Sequence, residues 1–332
     1  MMIVYAILIF CLLIFVHELG HFLTAKAVGI KVNEFALGMG PALLHFTKGD
    51  TEYSLRALPI GGYCKMEGED EESNDAAAFN KKPLPAKMLV IVAGSMMNLI
   101  LAILILSIVF FAVGIPNNTV KILAPDMPAA KAGLMPGDTI VQIGDNAIVE
   151  WNEILDAIGS SKGDTLTVIV DRNGEKVAFE VDVVIAEDGR RVIGIQPDYT
   201  KSPGKALALG TQGTFSMGVE MIKVIGQLIS GEVSAKALTG PVGIVYMVGD
   251  TAKMGWIYLA QLTALISLNL AIVNMLPFPA LDGGRALFLI IRIFTGKTIT
   301  DATEGAIHFV GLMLLFGLMI YITFQDIGRF LL

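Results

Sequence analysis

The sequence predicts a polytopic α-helical membrane protein with four transmembrane helices, a membrane-associated β-hairpin and one inserted α+β domain. Hydrophobic residues make up 54% of the 332 residues, charged residues 17%, and the mean hydropathy is +0.66. Soluble chains are nearer 45–50% apolar and a quarter charged. The apolar residues concentrate in four long runs, and a stretch with alternating strand and turn signals separates the second run from the third.

Two compositional features exclude other classes. The net charge of −7 gives no reason to expect a nucleic-acid partner. The two cysteines, Cys11 and Cys64, fall in very different segments, so a disulfide framework is not expected. We therefore expect the lipid bilayer to be the main surrounding of this chain.

The first apolar run, residues 1–28, carries the clearest chemical signal. It is long enough to cross a bilayer and contains His17-Glu18-Leu19-Gly20-His21. On a helix the two histidines lie one turn apart on one face, which suits one Zn²⁺, and the glutamate is placed to act as a general base. A polar cluster that only joins helices is the alternative, although such residues in a membrane helix usually mark function.

Residues 29–85 predict a membrane-associated β-hairpin followed by an acidic linker. Glycines and prolines punctuate both arms, and Thr47-Lys48-Gly49-Asp50 predicts the turn. The edge of such a hairpin could pair with an extended peptide, while a plain surface hairpin fits the pattern equally well. The acidic run at 67–75 is typical of a solvated linker, and we assign no chemistry to it.

The second run, residues 86–115, predicts another transmembrane helix. Gly94, Ser95 and Asn98 interrupt its apolar surface. Small residues let helices approach closely and an asparagine can hydrogen-bond across, so helix packing is the favoured interpretation and contact with substrate the alternative.

Residues 117–200 predict a small α+β domain with its own core. Turn signals such as Gly163-Asp164 and Asn173-Gly174 separate strand-like segments, and 151–158 is a short helix candidate. The predicted strands cover 120–123, 139–143, 165–170 and 177–184.

The rest of the chain predicts an amphipathic connector at 201–254, a third membrane helix at 255–280, a loop at 281–305 and a fourth membrane helix at 306–325. Within the connector, 217–229 is apolar with interspersed polar residues, which favours a short helix lying on the membrane. The third run ends at Pro277-Phe278-Pro279, which cannot continue a regular helix.

A catalytic zinc usually has three protein ligands, so one must come from outside the first run. Asp282 follows the helix break, and counting the crossings places it at about the depth of His21. A helix cap or a partner for Arg285 is its alternative role. His308 and His45 are weaker candidates for the third ligand.

The distribution of lysines predicts the orientation. Lys26 and Lys31 follow the first run, and Lys81, Lys82 and Lys87 precede the second. By the positive-inside rule the N-terminus and the α+β domain are extracytoplasmic, and the zinc site lies near the cytoplasmic face.

Several separate motifs together resemble the site-2 proteases, intramembrane zinc metalloproteases, of the bacterial type that carries a PDZ domain. The segment from His17 to His21 resembles the first-helix signature, and the segment from Asn269 to Gly283 is similar to the third-helix signature. The other matching segments are 58–66, in which Cys64 replaces an aliphatic residue, 93–98, in which Ser95 replaces a proline, 239–244, and 132–138 of the PDZ domain.

The resemblance implies roles for the matching residues. His17, His21 and Asp282 would bind Zn²⁺, and Glu18 would be the general base. The hairpin, including Gly38, Gly40, Gly61 and Gly62, would hold substrate as an added strand, and Asn274 would help to position the substrate backbone. The PDZ domain would screen substrates by size or bind exposed peptide ends.

The resemblance therefore implies an intramembrane zinc metalloprotease of the bacterial inner membrane that cuts single-span membrane proteins, such as anti-sigma factors or remnant signal peptides. The alternative from a different class is a non-catalytic PDZ-bearing membrane scaffold with a structural metal, in which Glu18 would have no reason to be present. A transporter is a weaker third interpretation, since no repeat or second polar pathway is visible.

Overall fold

A computed structural model describes residues 1–69, 71, 73–234, 238–295 and 301–330. Within them the chain forms two compact units, one of residues 1–109 and 207–332 and one of residues 110–206. In chain order the elements are α1 (Met2–Ala27), β1 (Val32–Lys48), β2 (Thr51–Met66), a 3₁₀ turn (Phe79–Lys81), α2 (Leu84–Val113), β3 (Ile115–Leu123), α3 (Pro128–Lys131), β4 (Thr139–Ile143), β5 (Asn146–Ala147), α4 (Trp151–Ser160), β6 (Thr165–Arg172), β7 (Glu175–Asp182), β8 (Val184–Ile185), β9 (Arg191–Val192), β10 (Ile195–Thr200), α5 (Pro203–Ser230), α6 (Pro241–Met254), α7 (Trp256–Asn274), α8 (Asp282–Thr295) and α9 (Asp301–Phe330).

Four of the described helices are long and apolar enough to cross a membrane. They are α1, α2, α7 and the part of α9 from Thr303 to Phe330. Large apolar side chains on their outer faces are exposed, for example Leu8, Ile108 and Phe316. Such a surface is favourable in lipid and unfavourable in water, so the chain is a multi-pass membrane protein.

The predicted hairpin is present as β1 and β2, and its pairing is more extensive than that of a simple hairpin. Residues 42–48 pair with 51–56 across the turn, whereas residues 34–37 have partners on both sides. On one side they pair with 62–65, whose residue numbers fall as those of 34–37 rise, as in an antiparallel ladder. On the other side they pair with 52–55, whose residue numbers rise with those of 34–37, as in a parallel ladder. Positive φ angles at Gly38 (89°), Gly40 (83°) and Gly61 (86°) allow the strands to bend back.

Two sequence predictions about the second half of the first unit were wrong. The short surface helix at 217–229 is part of α5, which is 28 residues long. The helix includes several glycines, and Gly210 has a packing reason because a Cβ there would lie 2.2 Å from Ser107 Oγ of α2. The predicted loop at 281–305 contains the helix α8, and Gly283 and Gly284 lie inside its first turn. Residues 235–237 of the connector and 296–300 of the loop lie outside the described residues.

A buried carboxylate fixes the N-terminus of α6. Asp326 of α9 is 2% exposed and accepts hydrogen bonds from Gly243 N (2.7 Å) and Gly240 N (3.3 Å). An anion at a helix N-terminus satisfies N–H groups that have no partner within the helix. The segment 239–244 is therefore a docking point between α6 and α9.

The second unit is the predicted α+β domain. Its six-stranded sheet has the order β10-β3-β4-β6-β7, with β5 on β4, and α4 covers a core that includes Ile140, Ile154 and Val168. All four predicted strands and the helix are confirmed, with β3 and β6 longer than predicted. Asp138, 1% exposed, accepts hydrogen bonds from Arg172 Nε and Nη2 (2.7 Å each) and from Met135 N (2.8 Å).

We expect this carboxylate to make the second unit sensitive to acid. Burial raises the pKa of Asp138, but its hydrogen bonds from Arg172 and Met135 outweigh burial and hold that pKa below the usual range. A carboxyl with a lowered folded-state pKa stabilises the fold above its unfolded-state value of about 3.9 and loses that contribution as the pH falls below it. Asp138→Asn should lower the unfolding midpoint at pH 7 by about 5 °C or more and should flatten its acid dependence.

The measurement is thermal unfolding at several pH values. Unfolding is monitored through the fluorescence of Trp151 in a Trp256→Phe background. Asp188→Asn is the matched control, because Asp188 is half-exposed and its partner Arg190 is more exposed still. Equal midpoints for Asp138→Asn and Asp188→Asn would contradict the expectation.

Candidate metal centre

Helix α1 places the two histidines of the H-E-x-x-H segment on the face that packs on α2. A Cβ at Gly20, between them, would lie 2.4 Å from Ala93 O, so the two helix backbones meet at this glycine. His21 is 9% exposed, and the ring centroids of His17 and His21 are 4.8 Å apart.

Asp282, the first residue of α8, completes a cluster with these histidines. His17 Nε2 lies 3.2 Å from Asp282 Oδ2, His21 Nε2 lies 3.5 Å from it, and the two Nε2 atoms are 3.2 Å apart. Within the described part of the chain, these three residues are the group identified as able to hold a metal ion. The structure thus brings together the three residues that the sequence analysis predicted as ligands.

The cluster fits a tetrahedral zinc. Ligand atoms about 2.0–2.2 Å from a tetrahedral ion lie about 3.3–3.6 Å from one another, close to the three distances found. Asp282 Oδ2 is buried and, despite its nearness to the imidazoles, has no hydrogen bond of acceptable geometry. Two imidazole nitrogens and a buried carboxylate oxygen that converge in this way form an arrangement that a cation stabilises.

Backbone and side-chain partners on α2 orient the imidazoles. His21 Nδ1 lies 2.8 Å from Val90 O, so Nδ1 donates its proton there and Nε2 keeps its lone pair for the ion. His17 Nδ1 lies 3.4 Å from the side-chain amide of Asn98, a residue with no exposed surface. An amide rotated by half a turn would let Asn98 Oδ1, which is buried and has no partner, accept the proton of Nδ1.

Gly94 leaves the space that the imidazoles occupy. A Cβ at this position would lie 2.3 Å from His21 Nε2, 2.7 Å from His17 Cε1 and 2.8 Å from His17 Nε2. The sequence analysis assigned Gly94 and Asn98 to helix packing. The structure confirms this, since both lie in the contact between α2 and α1, and it adds that the α1 side chains they meet are the two histidines, which no local pattern reveals.

Glu18 lines a cleft of about 410 Å³ next to the cluster. The cleft is bounded by the three predicted ligands, by residues 63–66 of β2 and by Glu69 and Arg285. A Cβ at Gly62 would lie 3.6 Å from Glu18 Cγ, so the end of β2 passes directly beside this carboxylate. A water, a metal ion and an extended backbone could therefore meet at Glu18.

The other candidate residues are not members of the three-residue cluster. His45 is exposed on β1, and the ring of His308 on α9 contacts Ala280 rather than the cluster. Arg285 pairs with Glu69, so Asp282 is not its partner among the described ion pairs. Gly38, Gly40 and Gly61 lie at the bends of the sheet, and Asn274 is the last residue of α7.

Comparison with known proteins places the whole chain beside a group of metalloproteases. The profile of peptidase family M50 matches residues 5–318. A candidate zinc metalloprotease of Clostridium acetobutylicum is 39% identical over 98% of this chain and 97% of its own length. The regulator of sigma-W protease RasP of Bacillus subtilis is 30% identical over 97% of each chain. A PDZ domain of an SdrC-like protein from Listeria innocua is 26% identical and covers 27% of this chain and 99% of its own, with a TM-score of 0.23.

Proposed function

The chain belongs to peptidase family M50, and from this membership we propose that it hydrolyses peptide bonds in single-span membrane proteins at the centre formed by His17, His21 and Asp282. It is a multi-pass membrane protein. It is also a zinc metalloprotease, as the relatives that it matches over almost its full length are named. The roles of individual residues, the orientation and the substrate class are the proposal.

The observation that carries the proposal is the meeting of three ligand atoms and one further carboxylate in a single cleft. The ligand atoms come from α1 and α8, which are far apart in sequence, and Glu18 lies between the two histidines on α1. A structural site would need no carboxylate beside the ligands and would use a fourth protein ligand instead. This difference supports a catalytic centre over the scaffold interpretation.

In this proposal Glu18 acts as the general base. When bound, zinc supplies a Lewis acid for the peptide carbonyl and makes a water acidic enough to ionise near neutral pH. The Glu18 carboxylate takes a proton as the water oxygen bonds to the carbonyl carbon, and it passes that proton to the leaving nitrogen as the C–N bond breaks. Asn98 and Val90 keep the imidazoles in the orientation that this chemistry needs.

In this proposal the end of β2 binds the substrate backbone as an added strand. Among the described residues, 62–66 pair with β1 along one edge, and they border the cleft. A substrate helix hides its carbonyls in hydrogen bonds to its own chain, so it must unwind before it is cut. Pairing with the outer edge of 62–66 would replace the lost hydrogen bonds next to Glu18. Gly38, Gly40, Gly61, Gly62 and Asn274 keep their predicted substrate-binding roles as part of this proposal.

The orientation also belongs to the proposal. Lysines that flank α1 and α2 favour a cytoplasmic position for the sheet and the cleft, and hence an extracytoplasmic N-terminus and second unit. The second unit would be a PDZ domain that screens substrates or binds their peptide ends. Labelling of single introduced cysteines with an impermeant reagent in intact cells, at 118 and at 48, would test this orientation, since only position 118 should react.

The experiment that tests the function is cleavage of a single-span peptide in liposomes by the wild-type protein. Product masses locate the cut bond, and zinc content is measured on the same sample. We expect a cut within or next to the apolar span, and loss of cleavage when zinc is removed by a chelator and its return when zinc is added back. Bound zinc with no cleavage of any of several unrelated spans would favour the scaffold.

We expect the size of the substrate's outer domain to control cleavage. A substrate whose extracytoplasmic part is bulky should be cut at least about 10-fold more slowly than the same span with that part trimmed, because the second unit would keep the bulk away from the membrane. The rates are compared in one liposome preparation at equal substrate density. Similar rates for the two substrates would rule out a size filter and leave the peptide-end role of the second unit.

A further inference from the structure

The chain segment between α7 and α8 has an unusual backbone conformation at Ala280. Its φ is +75°, in the left-handed region, and Ala280 is one of three described residues other than glycine with a positive φ. An L side chain adopts this conformation only when its surroundings hold it there. Ala280 lies two residues before Asp282, so whatever holds it also determines where α8 begins.

The group that holds Ala280 is His308 of α9. Ala280 N donates a hydrogen bond of 2.8 Å to His308 Nδ1. Because a backbone N–H can only donate, Nδ1 carries no proton, and the neutral ring has its proton on Nε2. The ring packs against Phe288 of α8, with centroids 5.4 Å apart, and the Glu304 carboxylate lies 3.9 Å from Nε2.

One turn further along α9, Gly311 supports the same segment. A Cβ on Gly311 would lie 2.5 Å from Pro279 Cβ and 2.6 Å from Pro279 O, so the α9 backbone touches Pro279 directly. His308 and Gly311 together form a cradle for Pro279 and Ala280.

The glycines in the first turn of α8, Gly283 and Gly284, pack closely against the segment between α7 and α8. A Cβ at Gly283 would lie 2.3 Å from Leu276 O, and a Cβ at Gly284 would lie 2.3 Å from Phe278 O. The start of α8 therefore rests directly on the backbone of the preceding turn. A small change in φ at Ala280 would move Asp282 with it, since no flexible side chain lies between them to absorb the change.

We propose that His308 is a positioning residue of the metal centre, which fixes the left-handed turn at Ala280 and thereby aims the Asp282 carboxylate at His17 and His21. The proposal rests on the proposed role of Asp282 as a metal ligand. His308 acts through the backbone and binds neither ion nor substrate. It is one of the two histidines, with His45, that were weaker candidates for the third ligand, and the role proposed for it in the centre is indirect.

The test compares three substitutions of His308 in the full-length protein. An asparagine places its Oδ1 close to the position of Nδ1 and can accept the Ala280 N–H, whereas a glutamine reaches toward the position of Nε2, and a leucine accepts nothing. Zinc affinity is measured by competition with a chromophoric chelator, and the kcat and KM for a single-span peptide are measured on the same preparations.

We expect His308→Leu and His308→Gln to bind zinc about 10-fold more weakly and to lose kcat with little change in KM. His308→Asn should restore most of both. Equal zinc affinity in all three variants and the wild type would overturn the proposal. If His308→Leu fails to fold, the comparison of the two polar variants decides, and equal losses in His308→Asn and His308→Gln would overturn it.

A second variant tests the backbone step. Glycine adopts a positive φ without strain, so Ala280→Gly should recover a measurable part of the zinc affinity in the His308→Leu background. No recovery would show that His308 does not act through Ala280. Asp282→Asn is the reference that separates this inference from the proposed function. Wild-type zinc affinity in Asp282→Asn would mean that the ligand set itself is wrong, whereas loss there with none in His308→Leu would overturn the positioning role alone.

Discussion

Glu18→Gln is expected to abolish proteolysis while leaving the zinc in place. Glutamine has nearly the shape of glutamate but cannot take a proton from water, and a positioned general base contributes about 10²–10⁴-fold to the rate. The imidazoles and Asp282 keep their positions, because Glu18 is not one of the three converging residues. The measurement is the kcat for a single-span peptide in liposomes, with zinc content determined on the same protein.

Glu175→Gln, an exposed position on β7, is the matched control and should cleave at the wild-type rate. A Glu18→Gln protein that retains zinc and cleaves within about threefold of wild type would remove Glu18 from the mechanism. A variant that loses both zinc and activity would instead mean that Glu18 supports the metal, which the present assignment does not allow.

Gly94→Ala is expected to damage the metal centre although it adds only one methyl group. The new Cβ would lie well inside contact distance of both imidazoles, and the Cβ of a helical residue has no freedom to turn away. The rings must shift, so we expect zinc affinity to fall by about 10–100-fold and cleavage to fall with it. Zinc affinity is measured by competition with a chelator, and helical content by circular dichroism.

Gly226→Ala is the control for this substitution. Gly226 also lies within a helix, and a Cβ there would have no neighbour within 4 Å outside the helix backbone. It should leave zinc affinity unchanged, since alanine forms helices better than glycine. Wild-type zinc affinity in a folded Gly94→Ala protein would mean that the imidazoles do not occupy the space beside this glycine.

Sequence reasoning found the parts of this site whose signal is local. Two histidines four apart share a helix face wherever the helix lies, and an aspartate after a helix break can be placed by counting crossings. It did not find the contact partners of Gly94, Asn98 or His308. Each depends on which atoms of a distant helix lie opposite, and one sequence carries no record of that crossing geometry.

The fold shows the same division. The strand bounds of β4 and the start of α7 follow from turn signals and apolar periodicity, which act over a few residues. The double pairing of residues 34–37 could not be predicted, because a strand with apolar residues along its length gives no indication of how many neighbours it has. The length of α5 was missed because only the apolar run at 217–229 was interpreted as helical, while the mixed residues before it give no clear helical period.

The contacts of α9 bear on how the protease is assembled during synthesis. Asp326 secures the N-terminus of α6, and His308 accepts the N–H of Ala280, so α9 braces two elements that the ribosome makes earlier. Until α9 enters the bilayer, α6 lacks its contact with Asp326, and Ala280, two residues before the proposed ligand Asp282, lacks its hydrogen bond to His308. The proposed metal centre would therefore be incomplete in a nascent chain until α9 joins the other helices.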